Sequence, residues 1–503
     1  MRVTMLLVIL KVAALTEQNV ISTTQGQLRG QVHEGYVSYR GVPYATLASE
    51  DGRFKRAGLA PIWEGVREAH EVHCTAVSRA DDCLQLDVYV PSSASGAWPV
   101  LAWVAAGGGS YNPRTLVRKG IIVVVVYHRI GPQGFLCLGD DKIPGNAAVK
   151  DVVLALRWIR DNIVAFKGNP AKVVLAGQSL GAAMAEGVML SPMSSGLYHG
   201  VILQSGSVLA PLAFNYNAKQ RAMLLEKMLS DEYNISPMLL KANLEDLVVK
   251  SNKLDMPYFP FGMCIENAMK HEERLFSEAP IDLLLRKNVG RVPMIIGYNS
   301  DEGYIFSSIL KESRVTRARE MSFLLPKELK FLNDREMKQV ARRVGDVYFK
   351  SNKALRDVLD YHRDAYFLNH IHRSARLHAA AYHPVYYYQF SYSGDLGVQE
   401  EPGVPKVGAA HSDELAYLFG GRDLDGDKGT VQMHLVKLWT NFVKYLNPTY
   451  KESIVWDAFD PDHARLLDIG TELSMSDYPH SETVSVWDDI YDKFYYSRNR
   501  VGG

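Results

Sequence analysis

Gly177-Gln178-Ser179-Leu180-Gly181 sets a serine between two glycines, behind the apolar run Lys172 to Ala176 and ahead of the helix formers Ala182 to Glu186. Strand, sharp turn and helix in that order lift the serine hydroxyl beyond the carboxyl end of a sheet. The glycines suit a tight turn with a helix packed close to a strand. The N–H groups that open the helix have no intrahelical partner and point at negative charge developing beside the serine. A serine hydroxyl becomes a useful nucleophile when a base takes its proton, and the base needs a carboxylate to orient it and stabilise its cation. The chemistry open to such a set is attack on an acyl carbon. The competing reading of the turn is a plain strand–turn–helix junction.

The acid candidates are Asp301 and Glu302. They follow the apolar strand Val292–Gly297 and precede a helix over Gly303 to Leu310. Both lie at a strand's carboxyl end, either can cap that helix, and the residues alone do not choose between them. Among several histidines, His411 stands out. Gly408-Ala409-Ala410-His411 is a small-residue turn after the strand Val385–Phe390, just before a helix over Ser412 to Phe419. A lone histidine is more often structural. Ala105-Ala106-Gly107-Gly108-Gly109-Ser110 follows the strand Val100–Val104 and offers backbone N–H groups unobstructed by side chains, as an oxyanion hole requires. Its alternative is a flexible turn.

These residues need a sheet to position them. The first ninety residues read as twisted antiparallel strands, at 19–23, 27–32, 36–39 and 84–90, the last stopped by Pro91. Val100–Val104 and Ile121–Val126 are near-continuous apolar runs, as in strands buried on both faces. Val149, Val152, Val153, Leu156, Ile159 and Ile163 recur at helical spacing within 146–166. Further strands are expected at 172–177, 200–204, 292–297 and 385–390. A largely helical segment, 219–288, reads as a cap, and 430–446 as a late amphipathic helix. Alternating strands and helices imply an α/β fold, a mostly parallel central sheet with helices on both faces.

Composition agrees with a packed globular chain. It is 503 residues long, 47% hydrophobic and 22% charged, with zero formal net charge, which gives no electrostatic case for nucleic acid or an anionic membrane. Length alone suggests about three domains, but there is no low-complexity linker, charge block or repeat, so 15–503 reads as one large domain. Met1-Arg2 precedes an apolar stretch, Val3 to Leu15, interrupted by Lys11, with small residues allowing cleavage after Ala14. Residues 1–14 thus read as a short secretory signal; the alternative is a cytoplasmic chain whose first strand starts near Val20. No later stretch reaches the roughly 18 apolar residues of a spanning helix, and no lipidation motif ends the chain. Of four cysteines, Cys74 and Cys83 flank a short polar segment and are placed to close a loop by a disulfide contributing about 2–3 kcal/mol. Cys137 and Cys264, in apolar surroundings, are expected to be buried thiols. The spacing suits no metal site. Asn234-Ile235-Ser236 is a glycosylation sequon, weakened by Pro237.

Over about residues 20–495 the chain resembles the type-B carboxylesterases, the cholinesterase-like α/β-hydrolases. The likeness is carried by Tyr39-Arg40-Gly41-Val42-Pro43-Tyr44-Ala45, Asp82-Cys83-Leu84, Ala155-Leu156-Arg157-Trp158, Gln204-Ser205-Gly206-Ser207 and Ile296-Gly297-Tyr298-Asn299-Ser300-Asp301-Glu302-Gly303. Its tone is similar to insect, particularly lepidopteran antennal and detoxifying, esterases. The resemblance implies Glu302 as the catalytic acid. Its histidine motif Gly-x-x-His-x-x-Glu is met by Gly408, His411 and Glu414. It implies Ser205 as a hydrogen-bonding support of the acid or histidine. It also implies Gly108, Gly109 and Leu180 as oxyanion donors, with Gly107 an alternative under a one-residue slip. The implied activity is hydrolysis of small-molecule carboxylic esters through an acyl-enzyme, with no cofactor or metal. Gln178 is shared with juvenile hormone esterases, so a narrow esterase of that type is a rival reading; an inactive adhesion or binding protein is another. Ala106 stands where the family has a histidine, Leu180 where it has alanine, and Tyr127-His128-Arg129 where it has Asn-Tyr-Arg. The loops 74–83 and 109–121 look short, which implies a more open entrance, a different substrate range or reduced activity.

Overall fold

The computed structural model describes residues 19–47, 52–71, 83–93, 96–106, 111–233, 239–251, 253, 260–269, 273–287, 290–307, 325–349, 354–381 and 384–495. In chain order the strands are β1 (Val20–Ser22), β2 (Gln27–Arg29), β3 (Gln31–His33), β4 (Tyr36–Pro43), β5 (Val66–Glu68), β6 (Gln85–Pro91), β7 (Trp98–Val104), β8 (Ile122–Val126), β9 (Gly168–Gln178), β10 (Gly200–Gln204), β11 (Met294–Asn299), β12 (Val385–Phe390), β13 (Arg465–Ile469) and β14 (Leu473–Asp477). The helices used below are α1 (Ala147–Asn162), α2 (Leu180–Met189), α3 (Ala218–Tyr233), α4 (Leu244–Ser251), α5 (Pro280–Leu285), α6 (Asp334–Tyr348), α7 (Ala354–Arg363), α8 (Asn369–Ala380), α9 (Gly426–Tyr445) and α10 (Ser481–Phe494).

An 11-stranded sheet runs β14-β13-β12-β11-β10-β9-β7-β8-β6-β4-β3, and β1, β2 and β5 form a small sheet of their own. From β13 through β8 neighbouring strands are parallel. The flanks, β13–β14 and β8–β6–β4–β3, are antiparallel. The sheet is therefore mostly parallel at its centre, with the antiparallel strands of the N-terminal part at one edge.

Burial on both faces explains the unbroken apolar runs. Along β7, Val100, Ala102 and Val104 join a core containing Val149, Val152 and Leu156 of α1 and Ala182 and Val188 of α2. Leu101 and Trp103 point the other way, into a core with Leu435, Trp439 and Phe442 of α9. Each of the larger side chains, valine and leucine among them, contributes on the order of 1.5–3 kcal/mol on leaving water, so a strand with only one apolar face would not hold this position.

The cap is less helical than its composition suggests. Among the described residues of 219–288 the helices are α3, α4 and α5. The stretch around Met263 is extended instead: Met263 N–H donates to Ala213 O (2.8 Å) and Asn215 N–H to Met263 O (2.7 Å). Pairing with a loop from the sheet outweighs local helical preference there. Among the described residues no helix is long and apolar enough to cross a membrane.

The cysteine expectation is corrected. Cys137 and Cys264 are joined in a disulfide, with Cα atoms 6.8 Å apart and a sequence separation of 127. They are brought together by the turn before α1. Asn146 sits in the left-handed region at φ 56°, which turns its amide to donate to Cys264 O and accept from Cys264 N–H, both at 2.8 Å. Beside them Lys150 and Glu266 form a buried ion pair at 2.8 Å. Burial in apolar surroundings fits a thiol or a disulfide equally, and the chain gives no local signal for a partner so distant. Cys83 is also disulfide-bonded; Cys74 lies outside the described residues, as do Asn234 and residues 1–14.

Candidate active site

Ser179 stands at the junction of β9 and α2 with φ 57° and ψ −125°. A non-glycine residue held there costs about 1–3 kcal/mol, which the surroundings must over-determine. Ser179 N–H donates to Gln204 O on β10 (2.8 Å), and Ser179 O accepts from Ala183 N–H (3.1 Å). The flanking glycines are required by space. A Cβ on Gly177 would lie 2.4 Å from the Gly181 carbonyl carbon, and one on Gly181 2.6 Å from Val104 O. This close approach of α2 to β7 and β9 is what the spacing of the two glycines predicts.

Glu302 and Asp301 follow β11 and are separated by their partners. Glu302 Oε2 lies 2.5 Å from His411 Nδ1, and its Oε1 accepts from Asn299 N–H at 2.8 Å. Asp301 turns the other way, into a two-pronged contact with Arg356 of α7 (2.6 and 3.1 Å), and accepts from Val407 N–H (3.1 Å). An isolated bridge between Asp301 and Ala410 ties the acid turn to the histidine turn. His411, Glu302 and Asp301 are all buried. Burial works against a charge on His411. The charge of Glu302 and its hydrogen bond, with lesser contributions from Glu414 and Asp413, outweigh that and raise its pKa above the ordinary histidine value.

Glu414 is a second carboxyl at the site, visible in the sequence only as a motif letter. It accepts from Gln204 Nε2 (2.9 Å) and Asn299 Nδ2 (2.6 Å), and Gln204 in turn accepts from Trp439 Nε1 on α9 (2.7 Å). Burial first, then the neighbouring charge of Glu302, pushes its pKa up to about 7. Two further neighbours of the imidazole carry no sequence expectation. Gln178 Nε2 lies 3.2 Å from His411 Nε2 and donates to Ser412 Oγ at 2.8 Å. The Phe367 ring packs on the imidazole with centroids 4.8 Å apart. Position beside Ser179 was the available signal for Gln178; nothing in the chain marks Phe367 or Trp439.

Ser205 does not make the bond that the resemblance implies. Its Oγ is buried and has no hydrogen-bond partner among the described residues, while its backbone N–H, at φ 53°, donates to Gly297 O (2.8 Å). Leu180 opens α2, half-buried against the core, with its N–H at the helix's amino end. Gly107, Gly108 and Gly109 lie outside the described residues. The stem of their loop is described: Ala106 N–H donates to Tyr111 Oη (3.2 Å), and the His128 ring nitrogens lie 2.8 Å from Ala105 O and from Arg129 O. Among the described residues no group of three or more His, Cys, Asp or Glu is arranged to hold a metal ion.

A serine at a strand-to-helix turn, and a histidine–carboxylate pair in the loops that follow strands further along the same sheet, define an α/β-hydrolase. The sequence model described as "Carboxylesterase family" matches residues 17–487, so the chain belongs to that family and is a carboxylic ester hydrolase. Human carboxylesterase 5A is 26% identical, the alignment covering 89% of this chain and 84% of the relative. A rat protein named pyrethroid hydrolase Ces2e is 28% identical over 89% and 86%. A duck protein named fatty acyl-CoA hydrolase precursor, medium chain, is 27% identical over 96% and 94%. Among solved structures, juvenile hormone esterase from Manduca sexta, with OTFP covalently attached, superposes with a TM-score of 0.83 at 25% identity, covering 94% of this chain and 99% of that one.

Proposed function

We propose that the chain hydrolyses carboxylic esters through an acyl-enzyme, with Ser179 as nucleophile, His411 as base and then acid, and Glu302 as the carboxylate that orients the imidazole. His411 Nε2 takes the Ser179 proton as Oγ bonds to the acyl carbon. The carbonyl electrons move onto oxygen, met by the N–H of Leu180 with those of Gly108 and Gly109. His411 returns the proton to the leaving alcohol, and water repeats the sequence to free the acid. The observation that carries this reading is the 2.5 Å contact of Glu302 Oε2 with His411 Nδ1. It fixes the proton on Nδ1 and leaves Nε2 with the lone pair that the reaction needs. The full reading includes residues 1–14 as a secretory signal, 15–503 as a single domain, and a Cys74–Cys83 disulfide.

The likeness to juvenile hormone esterase favours a second, narrower reading, in which the substrate is an ester of that type. Labelling with a fluorophosphonate probe tests the chemistry. The expected result is one stoichiometric adduct on Ser179, absent in Ser179→Ala. An unlabelled, folded protein would support a binding protein and sink the proposal. Hydrolysis of a series of esters differing in acyl length, with a juvenile-hormone-type methyl ester included, separates the broad substrate range from the narrow one.

A further inference from the structure

The imidazole nitrogen that must accept the serine proton is already occupied. His411 Nδ1 faces a carboxylate oxygen at 2.5 Å and therefore carries the ring proton, so Nε2 presents a lone pair. The atom found there is the side-chain nitrogen of Gln178, at 3.2 Å. The orientation of that amide follows from chemistry. Its two neighbours are a lone pair and Ser412 Oγ at 2.8 Å, and only the NH₂ end serves both as donor. Gln178 is buried. It ends β9, paired with Gln204 of β10, and Ser412 meets it from a backbone at φ 72°. The amide is thus held at the base by neighbouring structure.

We propose that Gln178 is a positioning residue that caps the resting base: its amide N–H occupies the Nε2 lone pair of His411 and holds the imidazole neutral until the Ser179 hydroxyl displaces it. This rests on the Ser179–His411–Glu302 reading and deepens it. The acylation step balances without a further reagent. The Oγ–H bond breaks, Nε2–H and Oγ–C form, and the carbonyl π pair moves to oxygen. The amide N–H gives up Nε2 and keeps its bond to Ser412 Oγ. Once Nε2 is protonated, two donors face each other across the old contact. That favours passing the proton on to the leaving alcohol. The carboxyl groups facing His411 are Glu302, Glu414 and Asp413; of these, Asp413 is matched by Lys406 at 2.7 Å. Gln178 is the neutral counterweight to their pull toward the cation.

The test is the acid limb of kcat/KM on a simple ester, which reports the base of the free enzyme, in wild type, Gln178→Met and Gln178→Glu. Methionine keeps the length and removes the donor, so the limb should move to higher pH by about half a unit. Glutamate puts a charge at Nε2 and should move it further, by about one to two units. A packing role would lower kcat/KM at every pH and leave the limb in place. An unmoved limb in both variants, or a shift to lower pH in Gln178→Glu, overturns the proposal. A second readout needs no Gln178 variant. In ¹⁵N-histidine spectra, Ser179→Ala should leave the His411 Nε2 resonance and its titration unchanged, because serine is not the resting partner. A displaced resonance would make Ser179 the partner and refute the cap. Failure of the underlying triad reading is recognised separately, by a wild-type protein that takes no fluorophosphonate label.

Discussion

Replacing Glu302 by glutamine should nearly abolish turnover, while Asp301→Asn should spare it and cost stability. In Glu302→Gln the side-chain oxygen goes on accepting from Asn299 N–H, now at 2.8 Å, so the new NH₂ group is presented to His411 Nδ1. The ring proton must then move to Nε2, which can no longer accept from Ser179, and the imidazolium loses its counter-charge. Loss of both amounts to about 10⁴ in kcat, or about 5 kcal/mol of transition-state stabilisation. Asp301→Asn leaves this geometry alone. It removes one carboxylate from Arg356, which retains Asp360 at 2.6 Å. With Arg356 still partly exposed, that is worth about 1–3 kcal/mol of folding stability. The assay is kcat and KM on a soluble nitrophenyl ester for both variants, with thermal melting of each. If Glu302→Gln kept more than about a hundredth of wild-type turnover, or if Asp301→Asn lost turnover comparably without a lower melting temperature, the acid would have been assigned wrongly.

Leu180→Ala should change the acyl-length profile without abolishing activity, because the donor N–H stays while the side chain beside the reacting carbonyl shrinks; a displaced donor costs about 3–4 kcal/mol, and an identical profile from acetyl to long acyl esters would mean the side chain points elsewhere. Non-reducing peptide mapping should recover a Cys137–Cys264 linkage and a Cys74–Cys83 linkage; alkylation of Cys137 in the native, unreduced protein would contradict the first. Glu414, raised from an ordinary 4.5 to about 7, binds its proton more tightly folded than unfolded, so its contribution to stability is complete below about 4.5 and is lost as pH rises toward 7, by up to about 3 kcal/mol. Glu414→Gln should flatten that slope, and an unchanged dependence of melting temperature on pH would show that Glu414 is not the group responsible.

The central sheet was legible because its strands are buried on both faces and so carry unbroken β-branched runs. The expected 200–204 and 385–390 coincide with β10 and β12. β9 is longer than its apolar run: it starts at Gly168, which pairs with Trp98 of β7, and the register shifts before pairing resumes at Val100 and Val173. β13 and β14 were missed: Arg465–Ile469 and Leu473–Asp477 mix charge with apolar residues, and they are strands because they close the sheet's edge. The helices α6, α7, α8 and α10 also went unassigned. Among them α8 carries His370, His372 and His378 on buried faces, a composition that reads as polar until the tertiary partners are known. At the site, residue types and their order along the chain pointed to Ser179, Glu302 and His411, while the choice of Glu302 over Asp301 came from the family likeness. Which neighbours surround them was not legible. Gln178 reaches His411 across 233 residues and Trp439 reaches Gln204 across 235, and no local pattern encodes contacts so far apart along the chain.

The surroundings of His411 distribute charge in a way that bears on how one imidazole would serve as base and acid in turn in the proposed reaction. Four carboxyl groups cluster there. Asp301 is bound by Arg356 and Asp413 by Lys406, at 2.6 and 2.7 Å, so each is matched by a fixed cation. Glu414 is held by two neutral amides, and burial together with the charge of Glu302 keeps its proton on to about pH 7. Glu302 accepts from Asn299 N–H and lies directly against the imidazole at Nδ1. In the proposed reaction it is therefore the carboxylate placed to serve as counter-ion to the imidazolium that forms when Ser179 gives up its proton. Were Glu414 ionised as well, His411 would hold that proton more tightly and release it more slowly to the leaving alcohol. Two carboxyls lie against one imidazole in different contacts: in the proposed reaction Glu302 serves as counter-charge to the imidazolium, while Glu414 keeps its proton up to about pH 7, and the amide cap proposed for Gln178 works in the same direction, against an over-basic histidine.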